Sequence, residues 1–465
     1  MNDTRPRLHF TVREGWINDP LGLTWHGGQY HLFYQFVPDH TVWRPEQRWG
    51  HATSPDLLHW AERPVALAPG DGDDGVWSGS VVVPEEGPAA LFYTAVRLGN
   101  LDDGRVRIAR PADATWDMWV KGGVVVEPPP ELDLLMFRDP WVVRDGGAWR
   151  MVVGAAFTDG TAAALTYRSE DLEDWTYDGV LVSRHREEVG PVWTGAGWEC
   201  PQLFRLGDDW VLTFSVWEPE EIHYEAYAVG ALTDGRFTAR SWGRLSWGPS
   251  PYAGSAFVDR DGARGLIYWL RGMTDPAGRW AGVHSLPHTL HLDGDRLVAV
   301  PHATLAARRI GGTRSVRRLP ASPQWGPDGQ ADWGPDGQRA QLREGAAETG
   351  LQVDVVITLD PPPEQRDHVL GDRTPDPPPD QPECTLDVDD GALQLRVRGA
   401  ELATTTPDGS WTMPLGGRVV RVVLDGPVVE IFAEHGTMAL VVPCGSAGRS
   451  LHLAGPGRAE VWELG

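Results

Sequence analysis

The stretch Ser54-Pro55-Asp56-Leu57-Leu58-His59-Trp60 returns as Ser169-Glu170-Asp171-Leu172-Glu173-Asp174-Trp175, 115 residues further on. Half of that interval, about 57 residues, suits one four-stranded propeller blade with a long loop. The surrounding sequence reads as short strands between Gly, Pro, Asp and Asn turns: Tyr30–Tyr34, Ser80–Val83, Ala90–Thr94, Trp149–Val153 and Trp210–Phe214. Good 3.6-residue periodicity is scarce. Such a chain is all-β, as a barrel, sandwich or propeller, and the repeat selects the propeller. Three acids keep step with it: Asp19 and Asp139 are 120 residues apart, Asp139 and Glu199 60 apart. Five blades take up roughly 300 residues, so a five-bladed β-propeller is expected over 1–305. Inner strands converge on a propeller axis, which would let acids from different blades meet in one funnel.

Beyond this the character changes. Trp-Gly-Pro-Asp-Gly-Gln occurs at 325–330 and again at 333–338, a local duplication expected to form a surface loop. Residues 361–382 hold eight prolines among many charges and predict an exposed, poorly ordered loop. Period-two alternation marks strands at Leu351–Ile357, Leu393–Val397, Val419–Leu424, Val428–Ala433 and Met438–Val442. These predict an antiparallel β-sandwich over 321–465, joined through a linker at 306–320.

Composition narrows the partners. A formal charge of −24 disfavours nucleic acid and anionic membrane and suits a small neutral sugar. No apolar run is long enough for a membrane span. The opening residues carry no apolar leader, so a cytoplasmic protein is expected. The three cysteines, Cys200, Cys384 and Cys444, have no metal-ligand spacing, and neither a metal nor an organic cofactor is expected.

Asp139 and Glu199 stand beside Arg138 and Trp198, Asp19 lies three residues after Trp16, and each acid is followed within two residues by Pro (Pro20, Pro140, Pro201). A carboxylate becomes a catalyst when neighbours fix its orientation and pKa. Each acid is expected in a Pro-bounded turn at a strand end. Two acids with a third, stabilising one are equipment for cleaving a glycosidic bond.

The boxes Trp16-Ile17-Asn18-Asp19-Pro20, Tyr30–Gln35, Trp49–Ser54, Trp77–Ser80, Arg138-Asp139-Pro140, Glu199-Cys200-Pro201 and Tyr252-Ala253, with Val429–Phe432 near the C-terminus, resemble glycoside hydrolase family 32 in order and spacing. That family comprises invertases, levanases, inulinases and sucrose-6-phosphate hydrolases. The resemblance implies a five-bladed propeller with a C-terminal β-sandwich. It implies Asp19 as nucleophile, Glu199 as general acid/base and Asp139 as transition-state stabiliser. Asn18, Gln35, Trp43 and Ser78 match positions lining the fructosyl pocket. Trp16, Trp49 and Trp77 offer aromatic walls, although core packing is the commoner use of each, and Trp269 is expected to bind substrate. Arg138 is expected to keep Asp139 ionised and to bind hydroxyls, and Cys200 to be a small buried neighbour.

Leu21 stands where the family has Asn, Ser250 where it has Asp, Pro251 where it has Phe, and Tyr268-Trp269-Leu270 replaces a Gly-Trp box. These departures are expected on the leaving-group side. The implied activity is retaining hydrolysis of terminal β-D-fructofuranosyl units from sucrose or short fructo-oligosaccharides. A fructosyltransferase and a non-catalytic carbohydrate-binding propeller stay open as alternatives, as does the oligomeric state.

Overall fold

The computed structural model describes residues 5–316, 350–360, 384–444, 448–455 and 457–465. The loops expected at 325–338 and 361–382 lie outside these. The chain divides into two compact units, Leu8–Ala306, and Ala307–Gly465 together with Met1–Arg7.

The first unit is a five-bladed propeller. Its blades run over 15–67, 75–126, 134–185, 197–244 and 251–301, each an antiparallel meander of four main strands. The sequence repeat is the turn between the third and fourth strands of blades I and III. In blade I, Asp56 Oδ1 accepts the N–H groups of Leu58 (3.1 Å) and His59 (2.9 Å), Leu57 turns left-handed at φ 69°, and Trp60 Nε1 donates to the Leu57 carbonyl. Blade III repeats it: Asp171 Oδ1 accepts from Glu173 and Asp174 (both 2.9 Å), Leu172 has φ 72°, and Trp175 Nε1 reaches the Leu172 carbonyl. The Asp side chain supplies the acceptor that the turn backbone lacks, which is why this residue pattern marks the turn.

Between blades the apolar faces close on one another. Leu21, Phe33 and Trp49 of blade I meet Leu91, Tyr93 and Ala95 of blade II, while Phe92 and Ile108 of blade II meet Met151 and Leu165 of blade III. Small residues such as Ala162 and Ala164 of blade III pack against Trp198 and Phe214 of blade IV.

Each inner strand breaks register against its neighbour at a corresponding place. The breaks lie between Ile17 and Pro20, Trp77 and Gly79, Arg138 and Trp141, Glu199 and Gln202, and Tyr252 and Ser255. A bulge bends the strand and re-aims the side chain within it. Asp139, Cys200 and Ala253 take left-handed φ values of 64°, 48° and 48° there. Pro donates no ladder hydrogen bond and is tolerated where the ladder is already interrupted. This corrects the sequence expectation: the Pro-flanked acids sit in bulges inside strands, not in turns at strand ends.

The ring closes where Gly15 and Trp16 of blade I pair in parallel with Trp280 and Ala281 of blade V. Thr11 Oγ1 donates to the Gly282 carbonyl at 2.8 Å, and the His284 N–H donates to the Phe10 carbonyl. Gly282 has φ 85°, and a Cβ there would stand 1.8 Å from the Ile17 carbonyl oxygen.

The second unit is a β-sandwich. One sheet carries, in spatial order, Gly436–Val441, Val428–Ala433, Val419–Asp425, Gln352–Leu359, Gly457–Leu464 and Arg309–Val316; the other has five strands. Strand Arg309–Val316 corrects the expected linker at 306–320: its backbone pairs Arg309 with Leu464 and Val316 with Ala459. The register break there falls between Ile310 and Arg314. The N-terminal residues, expected with the propeller, also belong here, where the Arg7 N–H donates to Asp425 Oδ1 at 2.9 Å.

Replacing Gly282 by Ala should destabilise the propeller by about 3–5 kcal/mol, because both a disallowed φ and a backbone clash must be relieved. Gly294→Ala, also left-handed but with nothing near its Cβ, should cost about 1 kcal/mol. Urea titration of both variants tests this; equal midpoints would contradict it.

Candidate active site

The bulges of blades I, III and IV bring Asp19, Asp139 and Glu199 together. Asp19 Oδ1 accepts from Asn18 Nδ2 at 3.1 Å, and Oδ2 accepts from Ser78 Oγ at 2.5 Å and Gln35 Nε2 at 3.3 Å. Gln35 also donates to Ser78 Oγ. Asn18 is itself fixed: its Oδ1 accepts from Trp16 Nε1 at 3.3 Å, and its carbonyl accepts from His284 Nε2 at 2.7 Å. Burial lowers the His284 pKa to about 3, so the ring is neutral.

The Asp139 N–H donates to Thr94 Oγ1 at 2.8 Å, and Asp139 Oδ2 accepts the Cys200 N–H at 2.9 Å. The Cys200 sulfur lies 3.7 Å from Oδ2 of both Asp19 and Asp139. Glu199 faces different partners. Its Oε2 accepts from the Tyr252 hydroxyl at 2.5 Å, and its Oε1 lies 3.6 Å from Arg138 Nε. The Arg138 guanidinium is held over the rings of Trp77 (5.5 Å) and Trp217 (5.7 Å).

Burial pushes the Asp19 carboxyl up to about 6, and the Glu199 charge adds to the rise; the Ser78 hydroxyl is the strongest influence pulling it back. Burial also raises Asp139, again with help from Glu199 and Asp19. Arg138 does lower the Asp139 pKa, as expected, but burial and the acid neighbours outweigh it. Burial and the surrounding carboxylates hold the Cys200 thiol and the Tyr252 phenol well above their ordinary values. Both therefore keep their protons and donate.

The pocket side chains divide. Asn18, Gln35 and Ser78 converge on Asp19. Trp16 and Trp269 meet edge to face at 5.7 Å beside Cys200 and Tyr252. Trp43, 45% exposed, meets Trp77 edge to face at 5.9 Å. Trp49 is fully buried with its Nε1 on the Trp77 carbonyl, so it is core and not wall.

The departures are buried. Leu21 packs with Phe33, Trp49 and Tyr93 in the seam between blades I and II. Ser250 and Tyr268 are 2% and 0% exposed, and Pro251 is buried. Three participants were not assigned roles from sequence. Thr94 read only as strand and Trp217 as one Trp among 23. Tyr252 stood in a quoted box with nothing to link it to an acid 53 residues away.

The profile described as "Glycosyl hydrolases family 32 N-terminal domain" matches residues 9–301. Sucrose-6-phosphate hydrolase of Escherichia coli is 36% identical over 322 residues, covering 64% of this chain and 65% of that protein, so just under two thirds of its length is matched. Beta-fructofuranosidase, insoluble isoenzyme 7, of Oryza sativa subsp. indica is 33% identical over 356 residues, covering 67% and 58%. Among solved structures, a GH32 beta-fructofuranosidase of Bombyx mori superposes with a TM-score of 0.76 at 24% identity, covering 99% of this chain and 94% of that one. Fructan 1-exohydrolase IIa of Cichorium intybus gives 0.77 at 20% identity, covering 100% and 98%. With the profile spanning well over half of the residues and the propeller-plus-sandwich fold shared, the chain belongs to glycosyl hydrolase family 32.

Proposed function

We propose that the protein is a retaining β-fructofuranosidase that releases terminal fructosyl units from sucrose or short fructo-oligosaccharides. The observation that carries this reading is the contrast between two carboxyl groups in one site. Asp19 is clamped by Asn18, Gln35 and Ser78, while Glu199 shares its oxygens between Tyr252 and Arg138. A nucleophile needs a fixed, ionised oxygen; an acid/base needs a partner that tolerates both of its protonation states. Tyr252, whose phenol keeps its proton, suits the second need.

In this mechanism Asp19 attacks the anomeric carbon as Glu199 gives its proton to the leaving oxygen. Water then enters, gives a proton to Glu199 and bonds through its oxygen to the anomeric carbon as the bond to Asp19 breaks. Asp139, anchored through one oxygen by the Cys200 N–H, turns the other to the fructosyl hydroxyls as positive charge develops in the ring. Trp16, Trp77 and Trp269 offer apolar faces to the sugar. Small substrates fit a funnel at a propeller axis, which receives a chain end and not a chain middle.

Glu199→Gln should lower kcat on sucrose by about 10²–10⁴-fold, the usual worth of general acid–base catalysis. KM should change far less, and an aryl fructoside whose leaving group needs no proton should suffer a smaller loss. Equal losses on both substrates would contradict the assignment.

Because Asp19 must be ionised to attack and its carboxyl is raised to about 6, kcat/KM should fall as pH drops through that region. Ser78→Ala removes the strongest influence lowering it, so the acid limb should move to higher pH. A limb that stays in place, or moves down, would show that Asp19 does not govern it.

A further inference from the structure

Behind the site, on the third strand of blade IV (Glu221–Thr233), lies Glu225, whose side chain is fully buried. Its Oε2 accepts from Ser215 Oγ at 2.6 Å and from the Gly254 N–H at 3.2 Å; its Oε1 has no hydrogen-bond partner among the described residues. Among the described residues the charged side chain that acts on it is Asp19, and no cation does so. The other titratable groups at this corner are the Cys200 thiol and the phenols of Tyr252 and Tyr268. Arg244 and Arg271, on flanking elements, lie over the rings of Tyr224 and Tyr252.

What this carboxyl holds is the blade V bulge. Ser215 stands opposite Glu199 in one ladder and opposite Glu225 in the next. Its hydroxyl accepts the Ala253 N–H at 3.0 Å while donating to Glu225. The N–H groups of Ala253 and Gly254 thus both lead to Glu225, one through Ser215 and one directly. Gly254 presses so close that a Cβ on it would lie 3.0 Å from Glu225 Cδ and Oε1. The residue before this bulge is Tyr252, whose hydroxyl meets Glu199 at 2.5 Å.

We propose that Glu225 is a positioning residue that works as an uncharged carboxylic acid, fixing the blade V bulge and, through Tyr252, the place of Glu199. The proposal rests on the reading of Glu199 as acid/base. Burial supports the uncharged state: it lifts the carboxyl to about 8, against the pull of Ser215 and Gly254. A proton on Oε1 leaves Oε2 free to accept both hydrogen bonds. Once the proton is lost, an uncompensated charge stands behind Asp19. The folded protein holds this proton more tightly than the unfolded chain. The associated stability is therefore complete below the ordinary carboxyl range and is lost as pH rises towards about 8.

The test compares Glu225→Gln, Glu225→Leu, Tyr252→Phe and the Leu/Phe double variant in the full chain. Glu225→Leu should cut kcat on sucrose about 100-fold through misplacement of Glu199, with a smaller change in KM. Glu225→Gln, which keeps an uncharged acceptor, should restore most of that loss and extend activity to more alkaline pH. The double variant should be no slower than the slower single one, since both changes act through one contact. Independently of activity, the Tm of Glu225→Gln relative to the parent protein should rise between pH 5 and pH 8. A Gln variant as slow as the Leu variant, additive losses in the double variant, or a Tm difference that does not change with pH would each overturn the proposal. If the parent protein turns over no fructoside, the enzyme reading fails, while the Tm comparison still decides whether Glu225 is uncharged.

Discussion

Three carboxyl groups from three different blades meet beside one guanidinium, and their mutual repulsion out of water is what the surrounding structure must withstand. Burial raises Asp19 and Asp139, the Glu199 charge raises both further, and Asp19 adds to the rise at Asp139. Such a cluster would spread apart if its members rode on loops. Here each is part of an inner strand, held by ladder bonds on one side and by apolar seams between blades behind. The bulges turn them inward at the cost of a left-handed φ at Asp139 and Cys200. Hydrogen-bond donors then meet the acids: Ser78, Asn18 and Gln35 for Asp19, the Cys200 N–H for Asp139, Tyr252 for Glu199.

This arrangement gives each acid a different electrostatic setting in one small volume. Asp19 is restrained by three neutral donors, Asp139 by a backbone N–H and a thiol, and Glu199 by a phenol with a guanidinium nearby. Neutral donors orient a carboxylate without permanently neutralising it, whereas a close lysine or arginine on Asp19 would blunt the attack proposed for it. The one guanidinium is held off Asp19, over two tryptophan faces.

Much of the architecture was legible in the sequence because its markers are local. The Ser-x-Asp-Leu-x-x-Trp repeat is one turn whose hydrogen bonds close within seven residues, so its spacing reported the blade. The Pro residues after the acids marked the interrupted ladders, although they read as turns and not as bulges. Legibility failed where the cause is remote. Strand Arg309–Val316 read as a connector because its partner strand, Gly457–Leu464, lies nearly 150 residues on. Leu21 looked like a change to the substrate pocket because a sequence shows which residue departs and not which way it faces; it packs into the seam between blades I and II. Glu225 carried no signal, since a lone Glu in an apolar strand shows neither its partners nor its protonation.

The central claim is that Asp19 forms a bond to the sugar, and mass spectrometry after rapid acid quench tests it most directly. With an activated fructoside as substrate, the account predicts that the peptide carrying Asp19 gains the mass of one anhydrohexose, and that Asp19→Ala abolishes both the adduct and turnover. Full turnover in the Asp19→Ala variant, or a first-formed fructose of inverted anomeric configuration, would contradict it.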